Sequence, residues 1–136
     1  MANWGVLGLG RMGLAFAQSI DELQDSKLIS IGSLSGKTYK NFKNSTYEEV
    51  INNPNIDAIY IATLNDTHIN FVNKVCDAKK NILCEKPVSM KLSELTKVKE
   101  KIIKMSNFYE AIAYYSHPQT IEILKIVQNN EIGELK

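Results

Sequence analysis

Hydrophobic positions in this chain follow two alternating patterns. Short apolar runs at Trp4–Gly8, Leu28–Gly32, Ala58–Ala62, Asn81–Cys84 and Glu110–Ala113 read as buried parallel strands. Between them, apolar residues recur at helical spacing. The first such stretch predicts a helix over Met12–Leu23, with Met12, Phe16, Ile20 and Leu23 on one face. A short helix follows at Tyr47–Asn52. A third covers Thr67–Ala78 and turns Ile69, Val72, Val75 and Cys76 inward. The fourth, Lys91–Met105, turns in Leu92, Leu95, Val98, Ile102 and Met105. The last, Pro118–Asn129, turns in Ile121, Leu124 and Val127. Asp66 or Thr67 can cap the third helix, and Pro118 suits a first helical turn. Strand–helix alternation of this kind implies an α/β fold, a doubly wound parallel sheet with right-handed crossovers and helices on both faces. The Ser-, Lys-, Asn- and Gly-rich stretch Ser35–Ser45 reads as an exposed loop.

Composition narrows the class. The chain has 136 residues, enough for one domain with a core and too few for two ordinary ones. Hydrophobic residues make up 44% and charged residues 23%, the balance of a globular protein. A net charge of +1 offers no electrostatic footprint for nucleic acid or an anionic membrane. No apolar run approaches the roughly 20 residues that span a bilayer. The chain opens directly on a strand-like segment, without a basic flank or cleavage signal. Cys76 and Cys84 are too few and wrongly spaced for a metal site or a disulfide framework. The expected location is the cytoplasm.

The first chemistry-bearing motif is Gly8-Leu9-Gly10-Arg11-Met12-Gly13, which fits G-x-G-x-x-G. It follows a strand and opens a helix, as that motif must. Gly8 permits the tight turn, Gly10 lets the backbone approach a pyrophosphate, and Gly13 lets helix and strand pack closely. The free N–H groups of the helix then face an anion. The expectation is a Rossmann-type domain that binds a nicotinamide dinucleotide. Arg11, inside the loop, either contacts the cofactor or is solvated. A second glycine pair, Gly32 and Gly36, precedes Lys37-Thr38. A Walker A loop needs four residues between its glycines. Only Ser33, Leu34 and Ser35 lie between these two, and no helical pattern starts at Lys37.

Cofactor choice turns on the end of the second strand. NAD-specific domains place an acidic residue about 20 positions past the motif, on the ribose 2′-hydroxyl. Here that region reads Ser33-Leu34-Ser35-Gly36-Lys37, with Lys40 and Lys43 after it. Missing acid and nearby cations favour NADP(H), with NAD(H) the alternative; Ser33, Ser35 and Lys37 are the candidate contacts. A solvated loop face would carry the same lysines.

At this point the chain resembles the N-terminal domain of the Gfo/Idh/MocA oxidoreductases. The landmarks are the glycine loop, Asp57–Thr63 with Asn65 and His68, Cys84-Glu85-Lys86-Pro87, and Ile132-Gly133-Glu134-Leu135. The segments around Glu110-Ala111 and His117-Pro118-Gln119 look most like the dihydrodiol dehydrogenase and glucose–fructose oxidoreductase branches. The resemblance implies that Lys86 reaches the substrate oxygen beside the nicotinamide, that Glu85 lines the cofactor pocket, and that Pro87 fixes the turn, often with a cis bond. Residue type alone also allows Lys86 to be a surface lysine. Thr63 and Asn65 would form the loop under the nicotinamide ribose, with Leu64 where relatives carry Pro. His68 would touch the nicotinamide side or support the loop; support fits a buried, hydrogen-bonded histidine. Tyr115 stands where similar branches carry Arg, and His117 is either a crevice contact or a helix-start residue.

Relatives continue into a second domain, an open antiparallel sheet that supplies the acid/base residue, most substrate contacts and the dimer surface. The resemblance therefore divides this chain into a dinucleotide-binding domain, 1–118, and a helix with the start of a truncated C-terminal domain, 119–136. It implies hydride transfer between the nicotinamide and a sugar, polyol or diol. The other reading is a non-catalytic NAD(P)-binding module, a sensor or partner subunit. An exposed last sheet edge would favour association with a second copy or another chain.

Overall fold

The computed structural model describes residues 1–105 and 107–135. Residue 136, the end of the expected C-terminal segment, lies outside the described residues. The chain begins in the middle of a sheet with β1 (Ala2–Leu7) and crosses through α1 (Arg11–Ile20) to β2 (Ser26–Gly32) and a short β3 (Asn44–Ser45). It returns through α2 (Tyr47–Asn52) to β4 (Ala58–Ile61), beside β1. From there α3 (His68–Asp77), β5 (Asn81–Cys84), α4 (Leu92–Ile103) and β6 (Phe108–Glu110) wind the other way. A 3-10 turn, Ala113–Ser116, and α5 (Pro118–Gln128) follow.

The strand order is β3-β2-β1-β4-β5-β6, and every pair is parallel. Winding outward in two directions from β1 and β4 puts helices on opposite faces. On one face Leu7, Ile59, Ile61, Ile82 and Cys84 pack beneath α2, α3 and α4. On the other, Val6, Leu28, Ile31 and Tyr60 meet Ala17 and Ile20 of α1. The expected cover on this second face is only half present. α1 shields β1 and β2, while Leu83 and Tyr109, on β5 and β6, line an open crevice.

Several predicted inward positions are corrected. α1 buries Gly13, Ala17 and Ile20. Met12 is exposed because the first helical turn faces the crevice, and Leu23 is exposed because the helix has ended. Leu92 starts α4 and is 80% exposed, ahead of the buried Val98. α5 buries nothing: Ile121 and Leu124 are exposed, since its neighbour is the 3-10 turn and not the sheet. The expected Glu110–Ala113 strand lies earlier, at Phe108–Glu110. Inside the expected Ser35–Ser45 loop, Asn44 and Ser45 pair with the edge of β2.

The helix ends follow local chemistry. Thr46 and Glu49 form a reciprocal capping box that starts α2. Thr67 precedes α3, but its hydroxyl donates to the Leu64 carbonyl, 2.7 Å away, and leaves the helix uncapped. Pro118 occupies the first turn of α5, as expected.

The β1–α1 turn is the tightest point of the fold. Gly8 has φ +93°, and a Cβ there would stand 2.5 Å from the Ala62 carbonyl oxygen. A Cβ on Gly13 would stand 1.9 Å from the Gly8 carbonyl oxygen. Both obstacles are backbone, so neither yields to a rotamer change. Gly13→Ala is therefore expected to lower stability by about 3 kcal/mol, the upper range for overpacking, in urea unfolding of the variant against wild type.

Candidate dinucleotide-binding site

The crevice opens above the carboxyl ends of β1, β2, β4, β5 and β6 and has a volume of about 1520 Å³. Ligands in open parallel sheets bind at this edge, where the strand order reverses. Here the reversal lies between β1 and β4. Of the residues expected at the site, the crevice is lined by Gly8, Gly10, Arg11 and Met12; by Ser33, Ser35 and Lys37; and by Thr63, Asn65, Glu85, Lys86 and Pro87. Gly13 and His68 do not line it. Gly13 supports the turn from below, and His68 is fully buried.

The glycine turn delivers the first turn of α1 to the crevice floor. Gly10 is the N-cap residue, with extended backbone and no side-chain cap. Apart from its own chain neighbours, nothing lies within 4 Å of where its Cβ would be. The first N–H groups of α1 are thus left without a capping side chain, and no acidic residue sits in that turn. That end of a helix attracts anions.

At the end of β2, the Ser33 and Ser35 hydroxyls lie 3.0 Å apart. Asn44 donates a 2.7 Å hydrogen bond to the Ser33 carbonyl, so β3 pins this turn. Lys37 lines the crevice and also a smaller recess next to Arg11. Lys40 is drawn away: it pairs with Asp21, which also accepts from the Tyr39 hydroxyl. Hydrogen bonds from Lys40 and Tyr39 hold the Asp21 carboxyl below the usual carboxylate range. Among the described residues, no carboxylate lines the crevice at the end of β2.

The opposite end is built from the turns after β4, β5 and β6. Lys86 is exposed and makes no ion pair among the described residues; its peptide bond to Pro87 is cis. Glu85 accepts a 2.6 Å hydrogen bond from the Tyr60 hydroxyl. Burial first, and then that bond to Glu85, push the Tyr60 hydroxyl well above its ordinary value, so it stays protonated and donating. Tyr60 also stacks on Phe16, with ring centroids 4.2 Å apart, so the crevice wall ties β4 to α1. Glu110 accepts from the Val88 N–H at 2.9 Å and anchors the turn after Pro87 to β6. Sequence reading missed both the Tyr60–Glu85 pair and the Glu110 anchor. Tyr60 was legible only as one apolar position in a buried strand, and the Glu110 contact joins β6 to a turn 22 residues earlier in the chain.

His68 has Nδ1 2.8 Å from the Pro87 carbonyl oxygen and Nε2 3.1 Å from that of Thr63. This is the supporting arrangement, without contact to the crevice. His117 accepts from the Gln119 N–H at the start of α5, the helix-start role. Tyr115 is exposed beside Tyr114, which lines the crevice.

A parallel sheet of this order, with a glycine turn at the head of α1 and a crevice over the strand ends, defines a Rossmann-type dinucleotide-binding domain. The chain belongs to the Gfo/Idh/MocA oxidoreductase family, whose NAD-binding Rossmann fold matches residues 2–113. Myo-inositol 2-dehydrogenase of Thermotoga maritima is 31% identical over 108 residues, 74% of this chain and 32% of the relative. Trans-1,2-dihydrobenzene-1,2-diol dehydrogenase of Danio rerio is 26% identical over 98% of this chain and 43% of its own. Scyllo-inositol dehydrogenase of Lactobacillus casei, solved with NAD(H) and scyllo-inositol, shares the fold with a TM-score of 0.87. It is 21% identical, over 98% of this chain and 43% of its own. The chain spans less than half the length of these relatives. No helix among the described residues is long and apolar enough to cross a membrane.

The strand that delivers Glu85 and Lys86 ends on a buried thiol. Burial, then the Glu110 and Glu85 carboxylates, push Cys84 up to about 12. Burial also raises the Cys76 thiol. Because the thiolate is the reactive form, neither cysteine is expected to react with a disulfide reagent at pH 8 while the chain is folded. Colorimetric thiol titration should register both only after denaturant is added.

Proposed function

We propose that this domain holds a nicotinamide dinucleotide, NADP(H) in preference to NAD(H), and presents Lys86 to the oxygen of a sugar, polyol or diol. The carrying observation is that the uncapped first turn of α1, the Ser33–Lys37 turn, the Thr63–Asn65 turn and Lys86 share one crevice. The residues fit such a cofactor. The space beside Gly10 leaves the helix end open to a pyrophosphate. Lys37 and the Ser33 and Ser35 hydroxyls would hold the adenosine ribose, and the absence of a carboxylate among these crevice residues suits a 2′-phosphate. Thr63 and Asn65 would hold the nicotinamide ribose, with Glu85 lining the same end of the crevice.

A bound nicotinamide would supply reversible hydride transfer to or from the carbinol carbon. Lys86 donates a hydrogen bond to the reacting oxygen and stabilises its alkoxide character. The hydroxyl proton must leave to a base. Both histidines are engaged elsewhere, His68 on two carbonyls and His117 at the start of α5. That engagement favours a second reading for the chain alone, a module that holds the cofactor without turning it over. Residues 1–118 are the cofactor-binding unit in either reading, and 119–136 begin a second domain.

Titration with NADPH and NADH, read by nicotinamide fluorescence, tests the proposal. NADPH is expected to bind tighter, and tighter NADH binding would reverse the cofactor preference. Gly10→Ala serves as the site control. As a change at the N-cap it is expected to cost about 1 kcal/mol of stability or less, yet to weaken dinucleotide binding by about tenfold or more. An assay for polyol-dependent NADP⁺ reduction separates the two readings: turnover by this chain excludes the non-catalytic module.

A further inference from the structure

The nicotinamide end of the crevice depends on two turns that belong to different strands. Strand hydrogen bonds fix their bases: the Ala62 N–H donates to Leu7 and the Glu85 N–H to Ile61. Beyond those bonds the sheet ladder stops. The loop Thr63–Asn65 and the turn Lys86–Pro87 must then be held by something else.

The link between them is His68. Its side chain is fully buried at the start of α3, and its two ring nitrogens meet the carbonyl oxygens of Pro87 and Thr63 at 2.8 and 3.1 Å. Both partners can only accept, so each ring proton is spent on holding a turn. A neutral ring donates to one of these carbonyls and packs against the other, so in either tautomer it stands between the two turns. The ring does not line the crevice, so it acts on a ligand through these turns alone. The Thr63 hydroxyl is itself occupied, 2.8 Å from that of Thr67.

We propose that His68 is a positioning residue that locks the Thr63–Asn65 loop to the Lys86–Pro87 turn and thereby sets the spacing between the cofactor floor and the reacting lysine. The functional half of this inference rests on the crevice being the dinucleotide site; the mechanical half does not. Two amide protons report on the mechanical half. The Val88 N–H is bonded to Glu110 just beyond Pro87, and the Thr67 N–H to Leu64 inside the loop, both at 2.9 Å.

The experiment compares hydrogen exchange at these amides, by NMR, in wild type, His68→Leu and His68→Asn, together with NADPH titration. His68→Leu removes the ring's hydrogen bond to these turns in either tautomer. Exchange at Val88 and Thr67 should quicken by about tenfold, the scale of one lost buried hydrogen bond, while Gly8 and Ala62 keep their protection. His68→Asn places an amide nitrogen near the Nδ1 position, so it should protect Val88 and release Thr67, and it carries the test if the leucine variant does not fold. NADPH affinity should fall about tenfold in His68→Leu and less in His68→Asn. Unchanged exchange at both amides, or a uniform change across all amides, overturns the coupling. If wild type binds no NADPH, the cofactor reading fails, and the exchange pattern still decides whether His68 joins the turns.

Discussion

The backbone at the head of α1 passes so close to the end of β1 that a single side-chain carbon would block it. A Cβ on Gly13 would stand 1.9 Å from the Gly8 carbonyl oxygen, far short of van der Waals contact distance. A Cβ on Gly8 would stand 2.5 Å from the carbonyl oxygen of Ala62, just past the end of β4. Because both contacts exist, α1 starts directly over the strand ends, and its uncapped N–H groups open onto the reversal point between β1 and β4. The position of the crevice, the burial of Ala17 and Ile20 against β1 and β2, and the exposure of Met12 all follow from that one approach.

The crevice is polarised along its length. One end carries the α1 terminus with Arg11 and Lys37, and Lys40 is withdrawn onto Asp21. The other end mixes Lys86 with two carboxylates, and both carboxylates already accept protein hydrogen bonds. Their remaining freedom is small, so they hold the turns as well as line them. Lys86 has no such commitment among the described residues. An unpaired, exposed cation next to occupied carboxylates is the group most able to meet a new oxygen.

Much of this was legible in the sequence, for physical reasons. Strands buried on both faces must be continuous apolar runs, so β1, β2, β4 and β5 stand out. The close backbone contacts at Gly8 and Gly13 admit no side chain, so the turn is readable from its glycines. Other features were not legible. Two polar residues, Asn44 and Ser45, form β3 only because the β2 edge offers them partners. The apolar stripe of α5 promised burial, but periodicity does not reveal whether a surface is available to pack on. The Tyr60–Glu85 and His68–Pro87 contacts bring together residues from separate crossovers, and no local pattern records them.

The central claim is that one crevice, organised by the Gly8–Gly13 turn, receives the dinucleotide along its whole length. Backbone amide shifts recorded as NADPH is added test it most directly. The predicted result is a continuous track of perturbed amides from Gly8–Gly13 through Ser33–Lys37 to Thr63–Asn65 and Glu85–Lys86. Shifts confined to the opposite edge of the sheet, around Asn53–Asp57, or no saturable shifts at all, would contradict it.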